Sequence, residues 1–209
     1  SNPYEPIVVS QIEDLSGYVR SIPLAVSGEY LYVGDNPNHD ENYIKVFNIS
    51  NPANPILAGT YARNQLSTQN IHVQGDVLFI GGGGNGHFVS LDVSNPDSIF
   101  QLDQLVGPGF GHFTTSGEIA YGRWDGRIKT VNISNPSSLE TIGLSEDYGI
   151  TGPLTVAGEY VYTSSGREIH VLDVSDPASP VEIETVEARV IGDELGLYAY
   201  EEVLYAMEE

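Results

Sequence analysis

The chain has 209 residues, 40% of them hydrophobic, with 23 Gly, 12 Pro and 13 Tyr, a composition that fits a turn-rich β protein and excludes a disordered tail. Its 29 Asp and Glu against 8 Lys and Arg give a formal net charge of -21, which repels phosphates, excludes nucleic acid as a partner and concentrates cations. With no Cys there is neither a disulfide nor a thiolate metal site, and no run reaches the roughly 18 apolar residues of a membrane-spanning helix.

In chain order, Ser1-Asn2-Pro3 is followed by Glu5-Pro6-Ile7-Val8-Val9-Ser10-Gln11-Ile12, which reads as a β-strand. Next comes Val26-Ser27-Gly28-Glu29-Tyr30-Leu31-Tyr32, and after it Ile44-Lys45-Val46-Phe47-Asn48-Ile49-Ser50-Asn51-Pro52. This pair of phrases returns three times: at 73–79 with 88–96, at 115–121 with 128–136, and at 156–162 with 169–177. A fifth, degraded copy of the first phrase is Ala199-Tyr200-Glu201-Glu202-Val203-Leu204-Tyr205. The anchor positions 28, 75, 117, 158 and 201 are 47, 42, 41 and 43 residues apart, the length of four short strands with tight turns.

Each repeat therefore predicts four strands. Strand A enters the Gly turn (71–74 in the second repeat) and strand B leaves it (77–81). Strand C is the Ile-x-Val phrase, and strand D follows the Pro (55–61 and 180–186). Asn or Asp before Pro is held extended while Pro presets a turn, so Ser-Asn-Pro makes the corner between C and D. No stretch keeps a 3.6-residue period, so almost no helix is expected.

The hydrophobic–Asp–Val–Ser–Asp–Pro phrase, best seen in Ile169-His170-Val171-Leu172-Asp173-Val174-Ser175-Asp176-Pro177 and coupled to Gly-x-x-x-Tyr/Phe, resembles the LVIVD-repeat family. The chain departs from that pattern in lacking the Gly-Leu that commonly precedes the phrase, and in carrying Asn48 and Asn132 where Asp is usual. The resemblance implies an all-β fold, a β-propeller of four-stranded antiparallel blades, in bacterial or archaeal proteins that are exported or displayed on the cell surface. About five blades are seen, one of them incomplete, in a single domain spanning 1–209. The blades fall at about 21–62, 69–106, 111–145 and 153–188, with the fifth split between 194–209 and 5–12. Strand C of that fifth blade is missing. The preferred expectation is a piece of a longer propeller; the alternative is a blade shared by the two termini.

Strand A is nearest a propeller axis, so its polar positions are the candidates for a site there. Asn70, His72, His112, Thr114, Thr155 and Tyr198 form a candidate ligand-binding ring at a channel mouth, in which His72 and His112 could hold a metal or shuttle protons. The plainer reading is solvated channel side chains. Asp35, Asn38, Asp40 and Glu41 lie in the longest B–C connection and offer hard oxygens to Ca²⁺, although the regular spacing of an EF-hand is lacking and a solvated acidic hairpin tip is preferred. No cofactor is required by the sequence; Ca²⁺ is the candidate ion. Gly81-Gly82-Gly83-Gly84-Asn85-Gly86 has no following Lys-Ser/Thr and is no phosphate loop. Trp124-Asp125 occurs once, so it is not a WD repeat, and Trp124 is a candidate contact residue. Asn48 and Asn132 begin glycosylation sequons, but Asp92 and Asp173 at the same place argue for a shared structural hydrogen bond.

Three readings follow. The first is a non-catalytic exported or cell-surface scaffold that binds protein or glycan. The second is a structural subunit of a fibre or lattice, self-assembled by a strand from a neighbouring chain. The third is a propeller hydrolase or lyase with a channel-mouth site. No Ser-His-Asp or paired-carboxylate arrangement stands out, so the balance leans away from an enzyme.

Overall fold

A computed structural model of the chain describes residues 5–13, 15, 22–35, 41–64, 68–82, 87–107, 110–187, 195–200 and 203–208. The described residues form four antiparallel four-stranded sheets and one two-stranded sheet. The first blade is β1 (Leu24–Ser27), β2 (Tyr30–Asp35), β3 (Glu41–Asn48) and β4 (Ile56–Asn64). The second is β5 (Thr68–Gln74), β6 (Val77–Gly82), β7 (His87–Asp92) and β8 (Phe100–Val106). The third is β9 (Phe113–Ser116), β10 (Ile119–Trp124), β11 (Arg127–Asn132) and β12 (Glu140–Leu144). The fourth is β13 (Leu154–Ala157), β14 (Tyr160–Ser165), β15 (Glu168–Asp173) and β16 (Val181–Glu187), and the fifth holds β17 (Leu195–Tyr200) and β18 (Val203–Glu208). Every blade is an up-and-down meander, with each strand paired to the next in sequence.

The local chemistry repeats as faithfully as the sequence. Gly28, Gly75, Gly117 and Gly158 all have φ between 56 and 58°, at the first of two turn residues joining strands A and B. That conformation suits a two-residue hairpin and is nearly free only for Gly. The corner after strand C is held by its own side chains. Asn48, Asp92 and Asn132 each accept through Oδ1 from the backbone N–H and the hydroxyl of the Ser two residues on, at 2.6–3.0 Å. Asp173 accepts from Ser175 N at 2.8 Å. The Asn of the two sequons thus makes the same bond as the Asp of the other two blades.

A β-bulge interrupts every C–D ladder at one place, between Val46 and Phe47, Ser90 and Leu91, Thr130 and Val131, and Val171 and Leu172. A bulge adds one residue to one strand and sharpens the twist. Here it delivers strand D to the neighbouring blade. A Cβ on Gly59 would lie 1.9 Å from the Pro96 carbonyl oxygen of the second blade, and one on Gly143 2.2 Å from that of Pro177 in the fourth.

The cores lie between blades. Tyr32, Ile44 and Val46 of the first blade pack on Ile71, Leu78, Ile80, Val89 and Leu91 of the second. Phe79 and Phe88 meet Phe110 and Phe113 of the third, with ring centroids of Phe88 and Phe113 at 5.1 Å and nearly perpendicular. Tyr121 and Ile128 then meet Ile150, Leu154 and Leu172. Strands β1, β5, β9, β13 and β17 pack each beside the next, as innermost strands of successive blades do. The only regular helix among the described residues is one 3-10 turn, Pro96–Ser98, and none is long and apolar enough to cross a membrane.

Residues 5–12 read as a strand in the sequence, yet residues 6–13 belong to none of these sheets. The Ser10 hydroxyl donates to the Pro52 carbonyl at 2.6 Å. Ser90 and Thr130 make the same bond to Pro136 and Pro177 of the blade after their own, at 2.6 and 2.5 Å. Ser10 therefore stands where a blade preceding the first would touch it.

Candidate functional site

Directly paired residues share a face, so the registers decide where each predicted site residue points. His72 pairs with Phe79, Thr114 with Tyr121, Thr155 with Tyr162 and Tyr198 with Tyr205, which puts all four on the face turned toward the following blade. Their contacts are made across that seam. His72 lies 3.1 Å through Nδ1 from Thr115 Oγ1 of the third blade, and Thr155 Oγ1 accepts from Ala199 N of the fifth at 3.4 Å. Burial holds the His72 imidazole below the usual His range. Asn70 faces Gly81 across its own hairpin, and the His112 carbonyl accepts from Arg123 N at 3.0 Å.

The structure draws His72, Thr155 and their equivalents into separate seams because the faces of the sheets, and not their inner edges, carry the side chains. Trp124 ends β10, half-buried, with Lys129 Nζ 5.8 Å from its ring centroid, and burial lowers the Lys129 pKa. The residue after it, Asp125, has φ 47° and Gly126 has φ 74°, so Asp-Gly makes the two-residue hairpin between β10 and β11.

Of the candidate Ca²⁺ ligands, Asn38 and Asp40 lie outside the described residues and Glu41 opens β3. Asp35 is buried and paired with Lys45 Nζ at 2.8 Å. Among the described residues no three His, Asp or Glu side chains gather at metal-ligand distances.

A His–Glu contact in the fourth blade has no signal in the repeat pattern. His170 Nδ1 lies 2.5 Å from Glu182 Oε1, and Tyr148 Oη accepts from Glu182 N at 3.3 Å. His170 Nε2 is buried with no hydrogen-bond partner among the described residues. His170 and Glu182 lie twelve residues apart on strands C and D and meet diagonally, His170 being paired with Thr185 and Glu182 with Leu172.

The features that stand apart from the repeat are at its two ends. Leu24 is 58% exposed, whereas Ile71, Phe113 and Leu154 at the same position of the next three blades are 7, 5 and 8% exposed. Tyr205 is 49% exposed, whereas Tyr32, Phe79 and Tyr121 are 3, 2 and 5%. Val26 beside Leu24, and Tyr198 and Val203 beside Tyr205, are exposed with them. Tyr198 and Tyr205 stack against each other at 6.4 Å.

The seam between the fourth and fifth blades is open as well. A cleft of about 620 Å³ lies there, lined by Tyr160, Tyr162, Ala199, Val203 and Leu204. The matching space between the second and third blades is about 220 Å³ and is lined in part by Ile133, Ser134 and Pro136. Their counterparts would belong to strand C and the corner of the fifth blade, which has two strands among the described residues. Tyr160 is exposed in consequence, where Tyr30, Val77 and Ile119 are half-buried. Val171 is half-buried where Val46, Ser90 and Thr130 are sealed.

No curated protein sequence matches the chain. A profile of the LVIVD repeat matches residues 16–63, 67–101, 115–146 and 148–188. Each of these four segments falls on one of the four complete blades. With that match over most of its length, the chain belongs to the LVIVD repeat family.

Proposed function

We propose that this chain is a non-catalytic binding and assembly scaffold, exported or displayed on the cell surface, whose contacts are made by the exposed apolar side chains of its first and fifth blades. The observation that carries the reading is the pair Leu24 and Tyr205. At the first three seams these positions are occupied by side chains sealed against the neighbouring blade, whereas Leu24 and Tyr205 are exposed. Burying one such side chain contributes about 1.5–3 kcal/mol. A partner that covers Leu24 and Val26, or Tyr198, Val203 and Tyr205, gains that energy several times over, and the net charge of -21 discourages association elsewhere on the surface.

Sedimentation velocity at rising protein concentration tests this. Association that Leu24→Glu or Tyr205→Glu abolishes, with the far-UV spectrum unchanged, supports the scaffold. A chain that stays monomeric and binds neither protein nor glycan overturns it.

A further inference from the structure

We propose that the hairpin joining β10 and β11 carries a binding site for a glycan that bears a carboxylated sugar of the uronic acid class, held by Trp124, Arg127 and Lys129. The site goes beyond the scaffold reading and involves neither Leu24 nor Tyr205. Gly122 pairs with Lys129 and Trp124 with Arg127, so Trp124, Arg127 and Lys129 share one face of the third blade. Ala120 and Val131 of that face pack on Phe79 and Phe88, so it is turned toward the second blade. Arg123 stands on the opposite face and donates to the Gly152 carbonyl at 3.3 Å.

Lys129 occupies a place in the repeat that holds Lys45 in the first blade, Val89 in the second and His170 in the fourth. The other two bases each meet a carboxylate of their own blade: Lys45 Nζ lies 2.8 Å from Asp35, and His170 Nδ1 2.5 Å from Glu182. In the third blade the place of Asp35, at the end of strand B, is taken by Trp124. The place of Glu182, opposite the residue two beyond the base, is taken by Thr141. Among the described residues no carboxylate lies within ion-pair distance of Lys129, and its Nζ is instead 5.8 Å from the Trp124 ring centroid. The Phe110 ring fills the space over Gly122, where a Cβ would lie 2.4 Å from it, so the side of Lys129 nearest the core is apolar. In a chain of 29 acids and 8 bases, a half-buried ammonium with an aromatic ring in place of its acid is a charge left for a ligand's carboxylate.

The surroundings choose among carboxylates. Asp125 is exposed at the hairpin tip, Glu146 is exposed nearby, and a Cβ on Gly126 would lie 2.3 Å from Asp147 Oδ1. An Asp- or Glu-rich peptide is repelled by these acids and by the net charge of -21. A sugar with a single carboxylate uses them: its hydroxyls donate to Asp125 and Asp147, its carboxylate accepts from Lys129, and the C–H face of its ring stacks on the Trp124 indole. Arg127 gives one N–H to the Ser145 carbonyl at 3.2 Å and keeps further donors for the same carboxylate.

The test titrates methyl glucuronide, and methyl glucoside as its neutral counterpart, into the whole chain. Trp124 is the chain's one Trp, so its fluorescence reads this site alone. A saturable change with the glucuronide is expected, about tenfold weaker with the glucoside, and about tenfold weaker in Lys129→Met, which keeps the stem and removes the charge. Added salt should weaken the glucuronide and leave the glucoside unchanged. Loss of binding in Lys129→Met with the melting temperature held separates a ligand contact from a structural role, and the comparison of the two glycosides needs no variant at all. Equal binding of the two, no binding of either, full affinity in Lys129→Met, or tighter binding of a Glu-rich peptide each overturns the proposal. If the glucuronide fails to bind while Leu24→Glu still abolishes self-association, the sugar site is wrong and the scaffold reading stands. Glucuronide binding by a chain that stays monomeric leaves the sugar site standing and removes Leu24 and Tyr205 as the contacts.

Discussion

The Ser90 hydroxyl donates at 2.6 Å to the Pro136 carbonyl, 46 residues away in the next blade, and accepts from Asp103 N at 3.1 Å in its own. One fully buried oxygen thereby ties a bulge to the corner of a neighbour. Thr130 and Pro177 repeat the tie, and the Gly59 and Gly143 contacts show how little room it has.

Gly143→Ala forces a methyl into the Pro177 carbonyl and is expected to cost about 1–3 kcal/mol. Gly107 has open space around the same methyl, so Gly107→Ala is expected to change stability by only a few tenths of a kcal/mol. Urea denaturation of the two variants side by side checks the contrast. Equal effects would mean that the seam yields without cost.

Ser90→Ala leaves the Pro136 carbonyl and the Asp103 N–H without their shared partner in a buried place. A loss of about 1–3 kcal/mol is expected. Hydrogen exchange should show faster opening at both the second and third blades, because the bond belongs to the seam between them.

Asn132→Ala removes the acceptor for Ser134 N and Oγ and should destabilise the corner by about 1 kcal/mol. Asn132→Asp restores an acceptor and should melt within a degree or two of the parent. A sequon Asn that tolerates Asp but not Ala holds its place for a structural bond, whatever else it carries.

The pH response has a definite sign. Burial lowers the His72 pKa, so below the unfolded value of 6.5 the unfolded state binds a proton that the folded state refuses, and stability falls as pH drops from there. Hydrogen bonds from Ser94 and Ser175 lower the Asp92 and Asp173 pKa values, so their contribution is present above 3.8 and is lost as pH falls through the folded values. Neutralising other carboxylates relieves self-repulsion and works the opposite way. Comparing the parent with His72→Gln between pH 7.5 and 5.5 cancels that common effect: the variant should lose less melting temperature over the window, and an identical loss would remove His72 from the account.

Glu182→Ala strands His170 with both ring nitrogens unpaired and should cost about 1–3 kcal/mol. At the equivalent positions the second blade has Val89, fully buried, and Gln101. The double change His170→Val with Glu182→Gln is therefore expected to recover most of that loss. A double-mutant cycle by thermal melting measures the coupling, and additive effects would argue against a working pair.

The sequence was most legible where a conformation is local. Gly28 and its counterparts announce the A–B hairpin, because almost no other residue adopts that φ cheaply. The Asn/Asp-x-Ser corner is legible for the same reason, since its bonds span two residues. Asp125-Gly126 is equally readable as a hairpin signal. The polar ring of His72, His112, Thr114, Thr155 and Tyr198 was less legible. Counting from the Gly anchor locates a residue along strand A, but which way its side chain points depends on pairing and on which blade lies opposite.

Sequence alone determined the number, spacing and chemistry of the repeats, and through them the blade, because strands and tight turns are governed by neighbours a few residues apart. Tertiary structure decided everything that depends on one blade meeting another: the seams that bury His72 and Ser90, the bulges that bring Gly59 and Gly143 against a Pro carbonyl, and the pairing of His170 with Glu182. It also decided which copies of a shared position end up covered. Leu24 and Leu154 occupy the same place in the repeat, yet Leu154 packs against Tyr121 and Ile128 of the third blade while Leu24 is exposed, because burial depends on what lies opposite and not on the local sequence.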